Sequence, residues 1–277
     1  MTRAGLQAAV LSLLLLIVFV GVWFIATLPP LEKATAADTE YAQLMGGAKK
    51  SGAFPTPQQV GETIVKQLAS PFYDNGPNDK GIGIQLAYSI ARVMAGFLLA
   101  ALVAIPLGFL IGMSPLGYRA LNPFIQVLKP ISPLAWMPLA LYTIKDAPTS
   151  SIFVIFICSI WPMLINTAHG VASVRRDWLN VALTLEVGPL RKAFQVVLPA
   201  AAPTILTGMR ISMGIAWLVI VAAEMLVGGT GIGYFVWNEW NNLSITNVIF
   251  AILTIGVVGM LLDLVFGMFA RLVTYRE

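Results

Sequence analysis

The chain has 277 residues, of which 58% are hydrophobic and 11% are charged, and its mean hydropathy is +0.82. Soluble domains have roughly a quarter of their residues charged, so this composition excludes a soluble protein and indicates an all-α integral membrane protein. The net charge of +4 would suggest a nucleic-acid partner for a soluble chain, but positively charged cytoplasmic loops explain it in a membrane protein.

Residues 8–28 are the first predicted membrane span. The run carries no charge and is long enough to cross the hydrocarbon core, for which about 20 residues are needed. A cleaved signal peptide is the alternative, but its apolar region is typically only about 7–15 residues long, and no small-residue cleavage site directly follows this run. We therefore expect a retained first helix with the amino terminus in the cytoplasm.

A polar segment follows from residue 29 to residue 84. Its polar composition, with acidic and basic residues mixed, indicates a long extramembrane segment. With the amino terminus in the cytoplasm, this segment is expected on the outer, periplasmic side. We expect residues 1–85 to comprise the first helix and this segment. Within it, Thr56 and Pro57 begin a pattern typical of a capped amphipathic helix. The predicted apolar face of that helix carries Val60, Ile64 and Leu68.

Later apolar segments bring the predicted number of spans to six. The third span contains Pro130, Pro133 and Pro138, and each proline removes a backbone hydrogen bond that the bilayer cannot replace. We interpret this span as a kinked helix beside a pathway, with prolines that serve only packing as the alternative. The five later spans are predicted at about 86–112, 120–144, 150–170, 206–228 and 246–270.

Positive charge determines the predicted orientation. Short cytoplasmic loops carry an excess of Lys and Arg, and six spans with the amino terminus inside place residues 171–205 and the carboxyl terminus in the cytoplasm. The outer segment 229–245 contains no Lys or Arg. The positive residues of the predicted inner segments are Arg119, Arg175, Arg176, Arg191, Lys192, Arg271 and Arg276.

The stretch from residue 177 to residue 203, which we call the elbow, is predicted to form two short helices joined by a turn. Apolar residues recur at steps of three and four on both sides of residues 187–189, where glycine ends one helix and proline begins the next. We expect Pro199 and Pro203 to close the second helix. The apolar face requires a cover, which is either a partner protein or the lipid surface.

The elbow resembles the conserved cytoplasmic loop of bacterial ABC importer permeases, whose consensus reads E-A-A-x-x-x-G, nine residues, then I-x-L-P. Leu198 and Pro199 align with the final L-P. Asn180 then stands at the acid, Glu186 at the glycine and Val196 at the isoleucine. The departures from the consensus resemble the nitrate and bicarbonate permease branch. Further resemblance to that branch extends over residues 89–100, 128–142 and 206–241.

The resemblance implies a type I ABC importer permease fold of six transmembrane helices, with a permease core at residues 86–277 and a cytoplasmic coupling loop at residues 171–205. It implies three protein partners: a second permease copy, cytoplasmic ABC ATPase subunits and an outer solute-binding protein. No cofactor is expected on this chain, because ATP and Mg²⁺ belong to the ATPase subunits. The residues implied to couple to the ATPase are Asn180, Ala182, Leu185, Glu186, Gly188, Leu190, Arg191, Phe194, Leu198 and Pro199.

The resemblance also implies a cellular location and a transported solute. The expected location is the bacterial cytoplasmic (inner) membrane, as a multi-pass protein among lipids. A small oxyanion is the expected solute, with nitrate or nitrite favoured and with bicarbonate, sulfonate or taurine as alternatives. An ATP-independent channel or carrier is the alternative from a different class.

Ionisable residues inside the spans are the candidates for handling a solute, because an uncompensated charge in the bilayer is costly. Lys129 is the preferred pathway cation, since it lies beside the prolines. The alternative is an architectural ion pair between Glu224 and either Arg92 or Lys129. Arg210, Asp263 and His169 lie near the ends of spans and are expected to have structural roles. The candidate pathway residues are Arg92, Lys129, Trp136, Met137, Met213, Trp217 and Glu224.

Catalytic and metal-binding motifs are absent from the sequence. The chain has no H-E-x-x-H zinc motif, no G-x-x-x-x-G-K-[ST] phosphate loop and a single histidine. Cys158 is the one cysteine, which excludes an internal disulfide and makes a cysteine metal cluster implausible. A membrane-embedded enzyme would lack a paired nucleophile and base. We interpret the glycine-rich run 228–233 as a turn followed by a short re-entrant helix on the outer side.

Overall fold

The computed structural model describes residues 3–28, 54–76 and 78–273. Every regular element in these ranges is a helix, apart from one isolated bridge between Asp74 and Lys80. The predicted outer residues 29–53 and Arg276 lie outside the described ranges. The helices are α1 (Arg3–Ala26), α2 (Pro57–Ala69), α3 (Ile82–Met113), α4 (Pro115–Leu128), α5 (Pro133–Ile144), α6 (Ala147–Ala172), α7 (Arg176–Thr184), α8 (Pro189–Lys192), α9 (Leu198–Val227), α10 (Ile232–Asn241) and α11 (Ile245–Val273), and a π-helical turn at Ala193–Val197 joins α8 to α9.

Five helical segments are long and apolar enough to cross a membrane. They lie within α1, α3, α6, the continuous run from α8 to α9, and α11, and the bent pair α4 and α5 makes a sixth if it counts as one span. This agrees with the six predicted spans.

The third predicted span is not a kinked helix, and that part of the prediction is wrong. Its two halves, α4 and α5, meet at an angle of 91° across residues 129–132. Pro130 and Pro133 lack the amide hydrogens that a continuous helix would need there. Ser132 then starts the new helix, because its Oγ accepts a hydrogen bond from the Leu134 amide at 3.3 Å.

The end of the elbow also differs from the prediction. Pro199 and Pro203 do not close its second helix, because α8, the π-helical turn and α9 form one helical run from Pro189 to Val227. Pro199 directly follows the π-helical turn, in which the Leu198 amide bonds to the Ala193 carbonyl five residues earlier. Proline is also tolerated inside membrane helices when neighbouring groups compensate.

The chain divides into two compact units, and the first comprises residues 1–70 and 239–252. The Trp23 indole donates a hydrogen bond to the Pro55 carbonyl at 3.1 Å, so the end of α1 contacts the start of α2. The predicted capped helix is confirmed: Thr56 and Gln59 form a reciprocal capping box at the start of α2.

The second unit comprises residues 71–238 and 253–277, and its core is α6 packed against α3 and α9. Glycines allow these helices to approach closely. A Cβ atom built at Gly96 would lie 2.7 Å from the Cβ of Ile155, and one at Gly208 would lie 2.6 Å from the Cβ of Asn166. A close helix contact is therefore present at Gly208, whereas the Cβ position at Gly214 in the same helix faces open space.

Gly208 and Gly214 form a matched pair for testing this packing. We expect Gly208→Ala to destabilise the solubilised protein by about 1–3 kcal/mol, because the added methyl group would push Asn166 and α6 away. Gly214→Ala should be neutral or slightly stabilising, since alanine favours the helix and meets no neighbour. Thermal unfolding in one detergent would measure both. Equal melting temperatures for the two variants would contradict the close contact.

Candidate functional site

The carboxylate of Glu224, near the end of α9, is buried and accepts hydrogen bonds from three other residues. Only 1% of its surface is exposed. Its oxygens accept hydrogen bonds from Arg92 Nη1 at 2.7 Å, from Ser89 Oγ at 2.8 and 2.9 Å, and from the Gly233 amide at 3.0 Å. The charge is therefore both paired and hydrogen-bonded, which is the condition under which a buried ion pair is tolerated.

The same group of side chains holds the glycine-rich turn before α10. Arg92 Nη1 donates to the Thr230 carbonyl at 2.6 Å, and the Gly231 amide donates to Gln85 Oε1 at 2.6 Å. The Ile232 amide donates to Ser89 Oγ at 2.9 Å. A side chain at Gly231 would overlap the Glu224 carboxylate, so glycine is required for the close approach. The predicted turn and short helix are thus present, and the turn is bound by side chains of α3.

We call this network the Glu224 cluster; it consists of Gln85, Ser89, Arg92 and Glu224 with the turn at residues 228–233. Of the two ion pairs considered from the sequence, the structure forms the one between Arg92 and Glu224. No bond between Lys129 and Glu224 is present. Gln85 and Ser89 were not predicted. Their spacing was the available signal, because residues 85, 89 and 92 place three polar side chains on one face of an apolar helix.

Removing one partner of the buried pair should be strongly destabilising. We expect Arg92→Ala to cost about 3–5 kcal/mol, because it leaves the Glu224 carboxylate buried without its cation. Asp74→Asn is a matched control. It removes only the ion pair between Asp74 and Lys80, in which the Asp74 side chain is about half exposed. Thermal unfolding of the solubilised protein measures both variants. Similar small shifts for both would contradict a structural role for the Glu224 cluster.

Lys129 lies at the break between α4 and α5 and lines a cavity of about 150 Å³. We call this the Lys129 cavity. In the described parts of the chain, the Lys129 ammonium group has no hydrogen-bond acceptor and no ion-pair partner. The other lining residues come from the break, from α5, from the middle of α6 and from α9: they are Ile131, Pro133, Trp136, Ile157, Cys158, Trp161, Pro162 and Ile215.

The remaining candidate pathway residues are packed inside the second unit. Met137 and Met213 are each 1% exposed and Trp217 is 5% exposed. The Trp217 indole donates a hydrogen bond to the Ile255 carbonyl at 3.0 Å. In the structure of the single chain these three side chains contribute to the core, whereas Lys129 and Trp136 reach a cavity. Their role in a pathway stays a prediction.

Arg210 and Asp263, for which a structural role was expected, form an ion pair between α9 and α11. The Arg210 Nε atom lies 2.6 Å from Asp263 Oδ1, and a second bond joins Nη2 to Oδ2. This two-pronged geometry suits a guanidinium and a carboxylate. His169, also expected to be structural, is exposed near the end of α6.

The elbow turn keeps a glycine-like shape although Glu186 occupies the position of the consensus glycine. Glu186 has a φ of 50°, in the left-handed region that favours glycine. The Val187 amide bonds to the Ala182 carbonyl and the Glu186 amide to the Leu183 carbonyl, both at 3.0 Å. This is the hydrogen-bond pattern of a Schellman motif, which ends α7.

The elbow presents an apolar surface that the described residues leave exposed. Leu185, Leu190 and Phe194 are 70%, 75% and 66% exposed. Ala182 and Val197 point the other way and are buried, and Val197 packs with Val171, Ala201 and Ile205. One side of the elbow is therefore packed against the helical core while the other is exposed. The remaining implied coupling residues are exposed at Asn180, Glu186, Gly188, Arg191 and Pro199 and half-buried at Leu198.

Comparisons with known proteins agree with this architecture. Residues 104–276 match the family model described as binding-protein-dependent transport system inner membrane component. The nitrate import permease protein NrtB of Synechocystis sp. is 48% identical over 223 residues, which covers 80% of this chain and 81% of that protein. The bicarbonate transport system permease protein CmpB of the same organism is 45% identical over 197 residues, which covers 71% and 70%.

Solved structures support the fold. An inward-facing form of the MetNI methionine ABC transporter aligns with a TM-score of 0.61 over 68% of this chain and 94% of the matched chain. An amino acid ABC transporter aligns with a TM-score of 0.57 over 68% and 91%. Sequence identities of 13% and 14% limit these two likenesses to the fold.

Proposed function

The chain belongs to the family of binding-protein-dependent transport system inner membrane components, and from this premise we propose that it is the permease subunit of an ATP-driven importer of a small oxyanion. The observation that carries the proposal is the 48% identity to a nitrate import permease over 80% of the chain. Nitrate or nitrite is the favoured solute. The similar identity to a bicarbonate permease, 45% over 71% of the chain, supports bicarbonate as the second candidate.

We propose that the ATPase subunits dock on the elbow and that ATP hydrolysis drives transport through this contact. The chain contains no phosphate-binding motif, so ATP and Mg²⁺ would bind to separate cytoplasmic ATPase subunits. Leu185, Leu190 and Phe194 form an exposed apolar surface of the kind that a partner protein covers, and Arg191 adds positive charge beside it. The bilayer surface is the competing cover for these side chains.

The proposed complex contains a second copy of this chain and an outer solute-binding protein. A solute pathway between two copies would alternate between inward-open and outward-open forms. ATP binding would draw the ATPase subunits and the two elbows together, and so favour one of the two forms. Because the helix from Pro189 to Val227 begins in the elbow, movement of the elbow would be passed directly to a membrane span.

Charged residues on the apolar face of the elbow should uncouple the ATPase. We expect Leu190→Asp combined with Phe194→Asp to abolish the stimulation of ATP hydrolysis by the loaded binding protein, since two buried carboxylates would oppose docking. Charge reversal at Arg191 and Lys192 should weaken the same coupling. The measurement is the ATPase rate of the purified complex in liposomes, together with co-purification of the ATPase.

Leu190→Met combined with Phe194→Leu provides the control, because it keeps the apolar surface and should keep the stimulation. If the double aspartate variant inserts normally and transports at the wild-type rate, the elbow is not the docking surface. ATP-independent flux through the purified chain alone would instead favour a channel or carrier.

The identity of the solute is tested with the partner binding protein. We expect that protein to bind nitrate or nitrite in calorimetric titration and the complete complex to take up the same ion into proteoliposomes only when ATP is supplied. Bicarbonate and taurine provide the comparison. Uptake of taurine without uptake of nitrate, nitrite or bicarbonate would contradict the proposed class of solute.

A further inference from the structure

Lys129 is an unpaired cation in a membrane span. Arg92 of α3 and Arg210 of α9 are each bound to a carboxylate, by Glu224 and by Asp263 respectively. Within the described residues no acidic side chain is near enough to pair with Lys129. An ionisable group inside a membrane is costly and normally faces a partner or a water-filled cavity. Lys129 is exposed on the single chain and lines the Lys129 cavity.

The cavity lies at the middle depth of the neighbouring spans. Cys158, which lines it, comes 11 residues after the first residue of α6 and 14 residues before the last. Ile215 likewise lies 17 residues after the start of α9 and 12 before its end. Irregular backbone at this depth is tolerated only where it is buried in protein or lines a cavity, and the break at residues 129–132 does line one. Broken helices at the midplane are where secondary transporters place their solute sites.

The walls of the cavity suit a small anion. Trp136 and Trp161 both line it, and neither indole N–H has an acceptor among the described residues. A volume of about 150 Å³ holds several water molecules at roughly 30 Å³ each, so a four-atom anion would fit with part of its hydration shell. The lining contains no acidic residue that would repel it.

We propose that the Lys129 cavity is an oxyanion-binding site built within each single permease subunit, with Lys129 as the cation and Trp136 and Trp161 as its walls. This inference rests on the proposed function and adds a location to it. One ammonium group without further charges holds an anion weakly enough to release it, as conduction requires. The lining comes from the break at residues 129–132 and from α5, α6 and α9 of one chain, so a homodimer would contain two such sites.

Substitution of the lysine tests the charge in the complete importer, reconstituted with its ATPase and binding protein. We expect Lys129→Gln to lower ATP-dependent nitrate uptake by about tenfold or more, the effect of losing one hydrogen bond to a charged group. Lys129→Arg should retain most of the uptake. Lys145→Gln makes the same charge change at the far end of α5, outside the cavity, and should transport like the wild type. Wild-type uptake by Lys129→Gln would overturn the proposal.

Cys158 allows a test without any change to the lysine, because it is the one cysteine of the chain and lines the cavity. We expect sodium nitrate to slow the reaction of Cys158 with a small methanethiosulfonate, compared with sodium gluconate at the same ionic strength. The mass of the intact subunit reports the modification, and Cys158→Ser provides the blank. Lys129→Gln should remove the protection. A labelling rate that does not depend on nitrate in the wild-type complex would overturn the proposal.

The experiments distinguish a wrong binding site from a wrong function. If the complex imports nitrate with ATP while Cys158 remains unprotected and Lys129→Gln transports normally, the site is wrong and the importer stands. If the complex moves no oxyanion at all, the proposed function fails and the site fails with it.

Discussion

The hydrocarbon core of a bilayer contains no water to solvate charges or backbone groups. Polar groups of a membrane protein must therefore form hydrogen bonds and ion pairs with one another. The Glu224 cluster satisfies its buried polar groups in this way. One buried carboxylate takes hydrogen bonds from Arg92, Ser89 and the Gly233 amide, while Gln85 and Arg92 bind the preceding turn. As a result, a glycine-rich segment that could adopt many conformations is held in one. The first two amides of α10, those of Ile232 and Gly233, donate hydrogen bonds to Ser89 of α3 and Glu224 of α9.

Most of the fold could be predicted from the sequence, because spans are determined by length and hydropathy. The six apolar segments and the Thr56 cap follow from patterns confined to neighbouring residues. The errors lay where proline was interpreted locally. Pro130 and Pro133 broke a span that was expected only to bend, whereas Pro199 and Pro203 were absorbed by a helix that was expected to end. Whether a proline ends a helix or is accommodated in it depends on the neighbouring helices and on local features such as a π-helical turn. Hydropathy reveals neither of these.

The candidate sites were only partly predictable. Arg92, Lys129 and Glu224 were recognisable as costly charges in apolar helices, but their partners depend on how the helices pack. The structure separates them into a satisfied pair and an unpaired cation in a cavity. Trp161 and Cys158 could not be assigned to that cavity from the sequence, because an aromatic residue and a cysteine in an apolar run are equally typical of a core.

The helix from Pro189 to Val227 spans 39 residues, which corresponds to about 58 Å of α-helix. It has the exposed elbow surface at one end and Glu224 close to the other. In the importer proposed above, a movement of the elbow would reach the Glu224 cluster through this one helical run, which contains the π-helical turn at Ala193–Val197. The two ends of this run would then lie on opposite sides of the membrane, joined by continuous helical backbone.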